Sequence, residues 1–164
     1  MFRNTELNKQ YRRLEALFQI AKTFEPDDEI RAHLAKYLCV LCSGFIENSV
    51  YFTLCDISEQ ECQPSVVLTY TKSQLKQLQN TNSEKIRKVI SLFNPIWEKK
   101  ITSFMQEENR GSALNYIFTD RHNIAHGRDS NITIGVLEEY FSKVVQIIKY
   151  IENDMTVELV NIDD

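Results

Sequence analysis

Glycine and proline are scarce in this chain, with only 4 Gly and 3 Pro among 164 residues. These two residues supply the backbone conformations of most tight turns, and together they usually make up roughly 12% of a sequence. A protein built from β-strands needs many such turns, and this sequence has too few. The sequence therefore predicts an all-α protein, an antiparallel bundle of five to seven helices in a single domain over residues 1–164.

Composition and charge narrow the classes of function. The chain is 43% hydrophobic and 26% charged, as globular proteins usually are, and its net charge of −4 argues against coating nucleic acid by bulk electrostatics. A local basic cleft on an acidic body remains compatible with that charge. No apolar run approaches the 18 residues of a membrane span, and the N-terminus does not resemble a signal peptide. Four cysteines in one stretch lack the density of a disulfide scaffold, so we expect a cytoplasmic protein.

Apolar residues at three- and four-residue steps predict the individual helices. The expected helices cover about 4–24, 26–54, 65–79, 83–97, 112–126 and 133–153, and 155–164 is expected to be a short strand or a frayed tail. Pro26 is expected in the first turn of the second helix, and Pro95 should kink or divide the fourth. Thr133 is the expected N-cap of the last helix.

The second predicted helix is apolar nearly all round between residues 37 and 52, which is typical of a central, buried helix. Gly44 lies inside it, and because glycine costs on the order of 1 kcal/mol in a helix, we expect a packing reason for it. Cys39 and Cys42 have the C-x-x-C spacing of a zinc ribbon, but their apolar helical surroundings favour core packing.

Two of the three histidines lie in one polar stretch, Asp120–Gly127, together with Arg121 and Asn123. His122 and His126 are four residues apart and therefore share one face of a helix. An imidazole, whose ordinary pKa is about 6.5, can move a proton at neutral pH, and a guanidinium can hold a phosphate oxygen. This set suits metal-free cleavage of RNA, in which the 2′-hydroxyl attacks and a 2′,3′-cyclic phosphate forms.

The stretch from Arg121 to His126 matches the R-x4-6-H motif of the HEPN superfamily of helical ribonucleases, which this chain resembles from about residue 32 to 151. The segment 42–49, Cys-Ser-Gly-Phe-Ile-Glu-Asn-Ser, is similar to a segment of the RiboL-PSP and related prokaryotic HEPN nucleases. The polar His122 directly after the arginine is a further point of resemblance.

The resemblance implies a bundle that pairs about a two-fold axis through the face that carries the motif. Arg121 and His126 would be the catalytic pair and His122 an accessory contact, with Asn123 as a possible cleft residue. Glu47 or Asn48 would match the polar residue that family members place near the cleft on an earlier helix. The implied function is a metal-independent endoribonuclease without a cofactor, in prokaryotic defence or a toxin–antitoxin system, with RNA, a second copy and an antitoxin or defence protein as partners.

Other interpretations stay open at this stage. Arg121 and His126 could simply neutralise a helix C-terminus, and the fold could be an inactive module that binds a partner or RNA without cleavage. His122 and His126 could hold a metal, although a zinc site needs at least one more ligand. Outside the motif, basic residues that could contact RNA are concentrated at Lys72, Lys76, Lys85, Arg87 and Lys88.

Overall fold

The computed structural model describes residues 1–61 and 66–160, with side chains described for 1–60 and 66–155. These residues form seven α-helices and one 3₁₀ turn, with no strand in the described ranges, so the all-α prediction is confirmed. The elements are α1 (Thr5–Lys22), α2 (Glu29–Glu61), α3 (Val66–Leu75), α4 (Ser83–Phe93), α5 (Pro95–Gln106), the 3₁₀ turn (Glu107–Asn109), α6 (Arg110–Ala125) and α7 (Ile134–Val160).

Asparagine side chains begin three of these helices. The Asn4 carboxamide accepts the backbone N–H groups of Glu6 and Leu7 at the start of α1, and Asn82 does the same for Lys85 in α4. Asn94 has extended backbone (φ −157°) between α4 and α5 and accepts the N–H of Ile96. The predicted division of this segment at Pro95 is therefore confirmed, but its predicted end near residue 97 is wrong, because α5 continues to Gln106.

Both predicted boundaries of α2 are wrong. Pro26 lies before α2 rather than in its first turn, and Asp28 caps the helix by accepting the N–H of Ile30 at 2.8 Å. α2 continues to Glu61 rather than ending near residue 54, because Cys55, Ile57 and Ser58 are buried and extend its packed face. The connection expected between the helices predicted at 26–54 and 65–79 is thus helical to residue 61, and its remainder, 62–64, lies outside the described residues.

The predicted tail is also wrong where the structure describes it. Residues 155–160 continue α7 as a helix instead of forming a short strand, and 161–164 lie outside the described residues. Thr133 begins α7 as predicted, because its hydroxyl oxygen accepts the N–H of Val136 at 3.4 Å and its carbonyl accepts that of Leu137.

Contacts between chain-distant ends fix how the helices run. The end of α1 meets the start of α7 where Lys22 Nζ lies 2.6 Å from Glu138 Oε1. The start of the chain meets the other end of α7, where the Arg3 N–H donates to Glu152 Oε1 at 2.7 Å. α1 and α7 are therefore antiparallel, and the short connections between α1 and α2 and between α6 and α7 make those pairs antiparallel as well.

The core lies where α1, α2, α6 and α7 meet, and α3, α4 and α5 pack on its side. Aromatic rings of Phe2, Tyr11, Phe45 and Phe141 contact one another across α1, α2 and α7 at centroid distances of 5.5–6.2 Å. α2 is long and apolar enough to cross a membrane by composition alone, yet 61% of its most apolar window is buried inside the bundle. That burial matches the predicted central helix.

One face of α2 is not covered by another helix of the described chain, and this exposure changes the interpretation of Gly44. A methyl group added at Gly44 would meet no atom within 4 Å, so the expected packing reason is absent within the described chain. Tyr37 and Val40 on the same side remain 48% and 39% exposed. We call this set, Tyr37, Val40 and Gly44, the α2 face.

The opposite side of α2 is closely packed. Cys39 and Cys42 are fully buried free thiols, which confirms the prediction of core packing. Burial raises the pKa of the Cys39 thiol to about 12, with the nearby Asp120 carboxylate adding to the shift and the Arg121 guanidinium opposing it. Cys39 is therefore an inert core residue that lies directly behind the polar stretch of α6.

Candidate functional site

The last turn of α6 is closed by its own backbone. The Gly127 N–H donates to the Ile124 carbonyl at 3.1 Å, and the Arg128 N–H donates to the Asn123 carbonyl at 2.9 Å. This pair of bonds is the Schellman arrangement, and it needs the left-handed backbone that Gly127 adopts at φ +66°. The His126 N–H donates to the carbonyls of His122 and Asn123 at 3.2 Å. Because backbone groups already satisfy these carbonyls, the side chains of Arg121 and His126 are not needed as helix caps.

Asp120 holds the loop that follows this turn. Its carboxylate is buried (9% exposed) and Oδ1 accepts the Ser130 hydroxyl at 3.1 Å. The Ser130 oxygen in turn accepts the N–H of Ile132 at 3.4 Å, close to the start of α7. The loop between α6 and α7 is therefore tied back to α6 one residue before Arg121, which keeps the end of α6 in one place.

The two histidines meet on the outer side of α6. Their ring centroids are 4.4 Å apart with an angle of 57° between the planes. His126 is exposed, and His122 is half-buried beside it. Solvent and a ligand can thus reach the His126 imidazole. The half-buried His122 ring lies beside it on the same face of α6.

Arg121 is held on another side of α6 by a residue that is distant in the chain. Its Nη1 donates to Asn80 Oδ1 at 3.2 Å. The Asn80 N–H donates to Glu47 Oε1 on α2 at 2.7 Å, and Asn80 itself has left-handed backbone with φ 55°. A chain of contacts from Glu47 through Asn80 to Arg121 therefore fixes the guanidinium, and within residues 1–60 and 66–155 most of its N–H donors have no hydrogen-bond partner.

The structure separates the two candidates on α2. Glu47 reaches the site through Asn80, whereas the Asn48 side chain turns to α1 and donates from Nδ2 to Gln10 Oε1 at 3.1 Å. Asn123 is half-buried and takes part through its backbone carbonyl. In the described residues no contact joins Arg121 to His126, because the two side chains leave α6 on different sides.

Sequence reasoning missed two residues of this site. Asp120 lies inside the motif stretch, but its function depends on Ser130, a contact that only the folded loop creates. Asn80 lies 41 residues before Arg121, in the connection between α3 and α4. The one local signal for Asn80 is its residue type, since asparagine adopts left-handed backbone more readily than most residues.

Arg121 and His126 provide complementary chemical groups. A guanidinium with free donors can hold a phosphate oxygen and stabilise the negative charge that builds up during phosphoryl transfer. An accessible imidazole can accept or donate a proton at neutral pH. Among the described residues, His122 and His126 are not grouped with a third side chain of a type that binds metals.

The sequence profile of the RiboL-PSP-HEPN family matches residues 5–156, which is nearly the whole chain. The chain therefore belongs to the RiboL-PSP-HEPN family, and the family resemblance seen in the sequence is confirmed. Neither the curated proteins nor the solved structures gave a match to this chain. Membership of a HEPN family is compatible with a nuclease or RNA-related role.

Proposed function

We propose that this protein is a metal-independent endoribonuclease that cuts single-stranded or looped RNA. The ribose 2′-oxygen attacks the adjacent phosphorus, and the bond from phosphorus to the 5′-oxygen breaks as the new bond forms. The products are a 2′,3′-cyclic phosphate and a free 5′-hydroxyl. The observation that carries the proposal is the pair Arg121 and His126 at the ordered, accessible end of α6 in a chain of a HEPN family.

Arg121 stabilises the transition state in this proposal. One of its N–H donors is held by Asn80, and the remaining donors bind the non-bridging phosphate oxygens as charge builds on them. A guanidinium that is already fixed before the substrate arrives needs little reorganisation during the reaction. Asn80 and Glu47 are therefore positioning residues, since they act on the phosphate only through Arg121.

His126 transfers the proton. Its exposed imidazole takes the proton of the 2′-hydroxyl or gives one to the leaving 5′-oxygen, and His122, at a centroid distance of 4.4 Å, orients the ring. One imidazole cannot perform both transfers at once. A second motif facing the first would supply the other proton-transfer group.

A homodimer meets that need, and we assign the α2 face to its interface. Glu47 lies seven residues after Val40 and three after Gly44, so the α2 face continues along the helix into the Arg121 side of the site. Exposed Tyr37 and Val40 supply apolar area, and the absence of a side chain at Gly44 lets a partner helix approach closely. The partner is a second copy of this chain, which would place two copies of the motif across one cleft.

The dimer is tested by substitutions that introduce a charge or a bulky side chain on the α2 face. Val40→Glu and Gly44→Leu should each convert the dimer to a monomer in light scattering and abolish cleavage of RNA. Ile20→Glu, at an exposed aliphatic residue on α1, is the control for Val40→Glu and should leave the dimer intact. A wild-type chain that remains a monomer at micromolar concentration contradicts the composite site.

The activity is tested with purified protein and single-stranded RNA in EDTA. Cleavage should persist in the wild-type chain and fall by at least about a hundredfold in Arg121→Ala and in His126→Ala. His33→Ala and Arg13→Ala are the controls, since both side chains are exposed on other helices. Cleavage equal to wild type in both site variants removes the assignment.

The same assay separates the alternative function. A chain that binds RNA or a partner protein without turnover would keep its full binding in His126→Ala and show no cleavage in any variant.

For the biological setting, we propose prokaryotic defence or toxin–antitoxin control, with an antitoxin or defence protein as partner. The test is expression of the wild-type chain and His126→Ala in bacteria, where only the wild-type chain should arrest growth.

A further inference from the structure

The segment formed by α4 and α5 is basic on an acidic chain. Between residues 84 and 100 it carries five cationic side chains, Lys85, Arg87, Lys88, Lys99 and Lys100, against two carboxylates, Glu84 and Glu98, while the whole chain has a net charge of −4. The structure also divides the basic set noted in the sequence. Lys72 pairs with Glu59 at the junction of α2 and α3, whereas Arg87 lies beside α6.

Arg87 borders a cleft between α4, α5 and α6. The cleft has a volume of about 340 Å³, at the lower end of the roughly 300–1,000 Å³ of typical small-molecule sites. Its lining combines apolar surface, which includes Met105, with the hydrogen-bonding side chains of Ser83, Thr102, Asn109, Ser112 and Asn115. A mixed lining of this kind matches a single nucleotide, which has hydrogen-bonding edges and an apolar base face.

The guanidinium of Arg87 forms a weak ion pair with Glu98. In the described part of the chain the nearest carboxylate oxygen to its Nη1 is Glu98 Oε1 at 4.0 Å, which is beyond hydrogen-bond distance. The same Glu98 oxygen already accepts the Thr102 hydroxyl at 3.0 Å. Arg87 therefore borders the cleft with one weak ion pair, and a phosphate can compete with Glu98 for its donors.

Two features connect this cleft to the candidate active site. The Asn115 side-chain oxygen on α6 accepts the N–H of Ser83, the first residue of α4, at 3.0 Å. Ser83 is only three residues after Asn80, which contacts Arg121. Along the outer side of α6, hydrogen-bonding residues recur at three- and four-residue steps and so form one continuous stripe from the cleft to the histidines. This stripe consists of Ser112, Asn115, Thr119, His122 and His126.

We propose that this cleft is a nucleotide subsite that binds the RNA strand a few nucleotides away from the scissile phosphate, since Ser112 and Asn115 lie roughly 16–21 Å from His126 along α6. Arg87 holds the phosphate of a flanking nucleotide, and the Asn115 carboxamide, whose oxygen faces Ser83, donates from Nδ2 to the ribose or base. The strand runs along the α6 stripe from His126 towards Arg87. The inference rests on the proposed nuclease function and adds to it a defined path for the substrate.

The experiment compares two substrates in EDTA: a dinucleoside monophosphate, which offers only the scissile phosphate, and a decanucleotide with the same two nucleotides at its centre. Arg87→Gln should lower the preference for the decanucleotide, measured as the ratio of the two kcat/KM values, by about tenfold. Arg87→Lys should keep part of the preference, because the charge remains. Arg13→Gln, an equal loss of charge on α1, should keep all of it.

A binding measurement separates failure of the subsite from failure of the nuclease function. Fluorescence anisotropy with a 2′-O-methyl decanucleotide, which cannot be cleaved by this chemistry, should show about tenfold weaker binding in Arg87→Gln. The slope of log affinity against log salt should also fall by about 0.7, the value for one phosphate contact on a single strand. Equal affinity in Arg87→Gln and Arg13→Gln overturns the subsite even if the wild-type chain cleaves RNA. A wild-type chain that binds this strand through Arg87 but cleaves no RNA upholds the subsite and overturns the nuclease.

Discussion

Two arginines on α6 sit in opposite environments. Arg110, in the first turn, is buried and saturated: its guanidinium donates to Gln146 and to the Phe104 carbonyl, lies 3.0 Å from Glu108, and stacks 4.1 Å from the centroid of the Phe104 ring. Arg121, near the last turn, is half-buried, and its one described hydrogen bond goes to Asn80.

The difference distinguishes structural from functional use of one residue type. A buried guanidinium must find partners for its donors, because leaving them unpaired costs free energy. Arg110 meets that requirement entirely within the chain, so its donors hold the junction of α5, the 3₁₀ turn and α6 together. Arg121 has donors without a partner in the described part of the chain and is partly accessible, as expected of a residue that binds a phosphate.

The largest expected effect comes from Arg121. Arg121→Met should lower the rate of RNA cleavage by at least about a hundredfold, because the fixed donors for the phosphate oxygens are lost. Its melting temperature should stay within about 1 °C of wild type, since one polar contact at a partly exposed site is lost. Cleavage kinetics check the expected rate, and differential scanning calorimetry on the same preparation checks the expected melting temperature.

Arg110→Met is the matched variant at the other end of the helix. It should lower the free energy of unfolding by about 3 kcal/mol, and the melting temperature by roughly 6–12 °C, because several buried partners lose their donor. Below the melting transition the folded fraction should still cleave RNA. If Arg110→Met and Arg121→Met lose equal stability, the distinction between the two arginines is wrong.

A smaller effect is expected at Asn80. Asn80→Gly preserves the left-handed backbone at φ 55° and removes only the side chain that holds Arg121. The kcat should fall about tenfold while the melting temperature changes little. Asn80→Asp keeps an acceptor oxygen and should restore most of the rate, which a purely structural role for Asn80 does not predict.

The smallest expected effect is at the end of α6. Gly127→Ala should destabilise the fold by about 1 kcal/mol, because alanine is strained at φ +66°, and the rate should fall a few fold as the turn that carries His126 shifts. Gly135→Ala in the first turn of α7 is the control, with open space around it and ordinary helical backbone. It should leave stability unchanged or raise it by up to about 1 kcal/mol. Equal destabilisation in both variants refutes the special geometry at Gly127.

The sequence predicted the features of the fold and site that depend on local patterns. The division at Pro95, the cap at Thr133 and the burial of Cys39 follow from residue type and helical spacing, and all three are confirmed. The pairing of His122 with His126 is equally local, because residues four apart share a helix face.

The features that sequence reasoning missed depend on tertiary packing. α2 runs on to Glu61 because Ile57 is buried against other helices, which no local signal reveals. The contact of Asn80 with Arg121 needs α3 and α4 to be placed first, and the open side of Gly44 becomes visible only once its neighbours are fixed. Helix existence was therefore predictable, and the positioning of the site was not.

The most direct test of the proposed chemistry is the identity of the ends that the wild-type chain produces. With EDTA present, mass spectrometry of a cleaved oligoribonucleotide should show a 2′,3′-cyclic phosphate on one fragment and a 5′-hydroxyl on the other. The same strand with a single 2′-deoxyribose at the cleavage position should remain intact there. Fragments with 5′-phosphate ends, or cutting at the 2′-deoxy position, would contradict the 2′-hydroxyl mechanism assigned to Arg121 and His126.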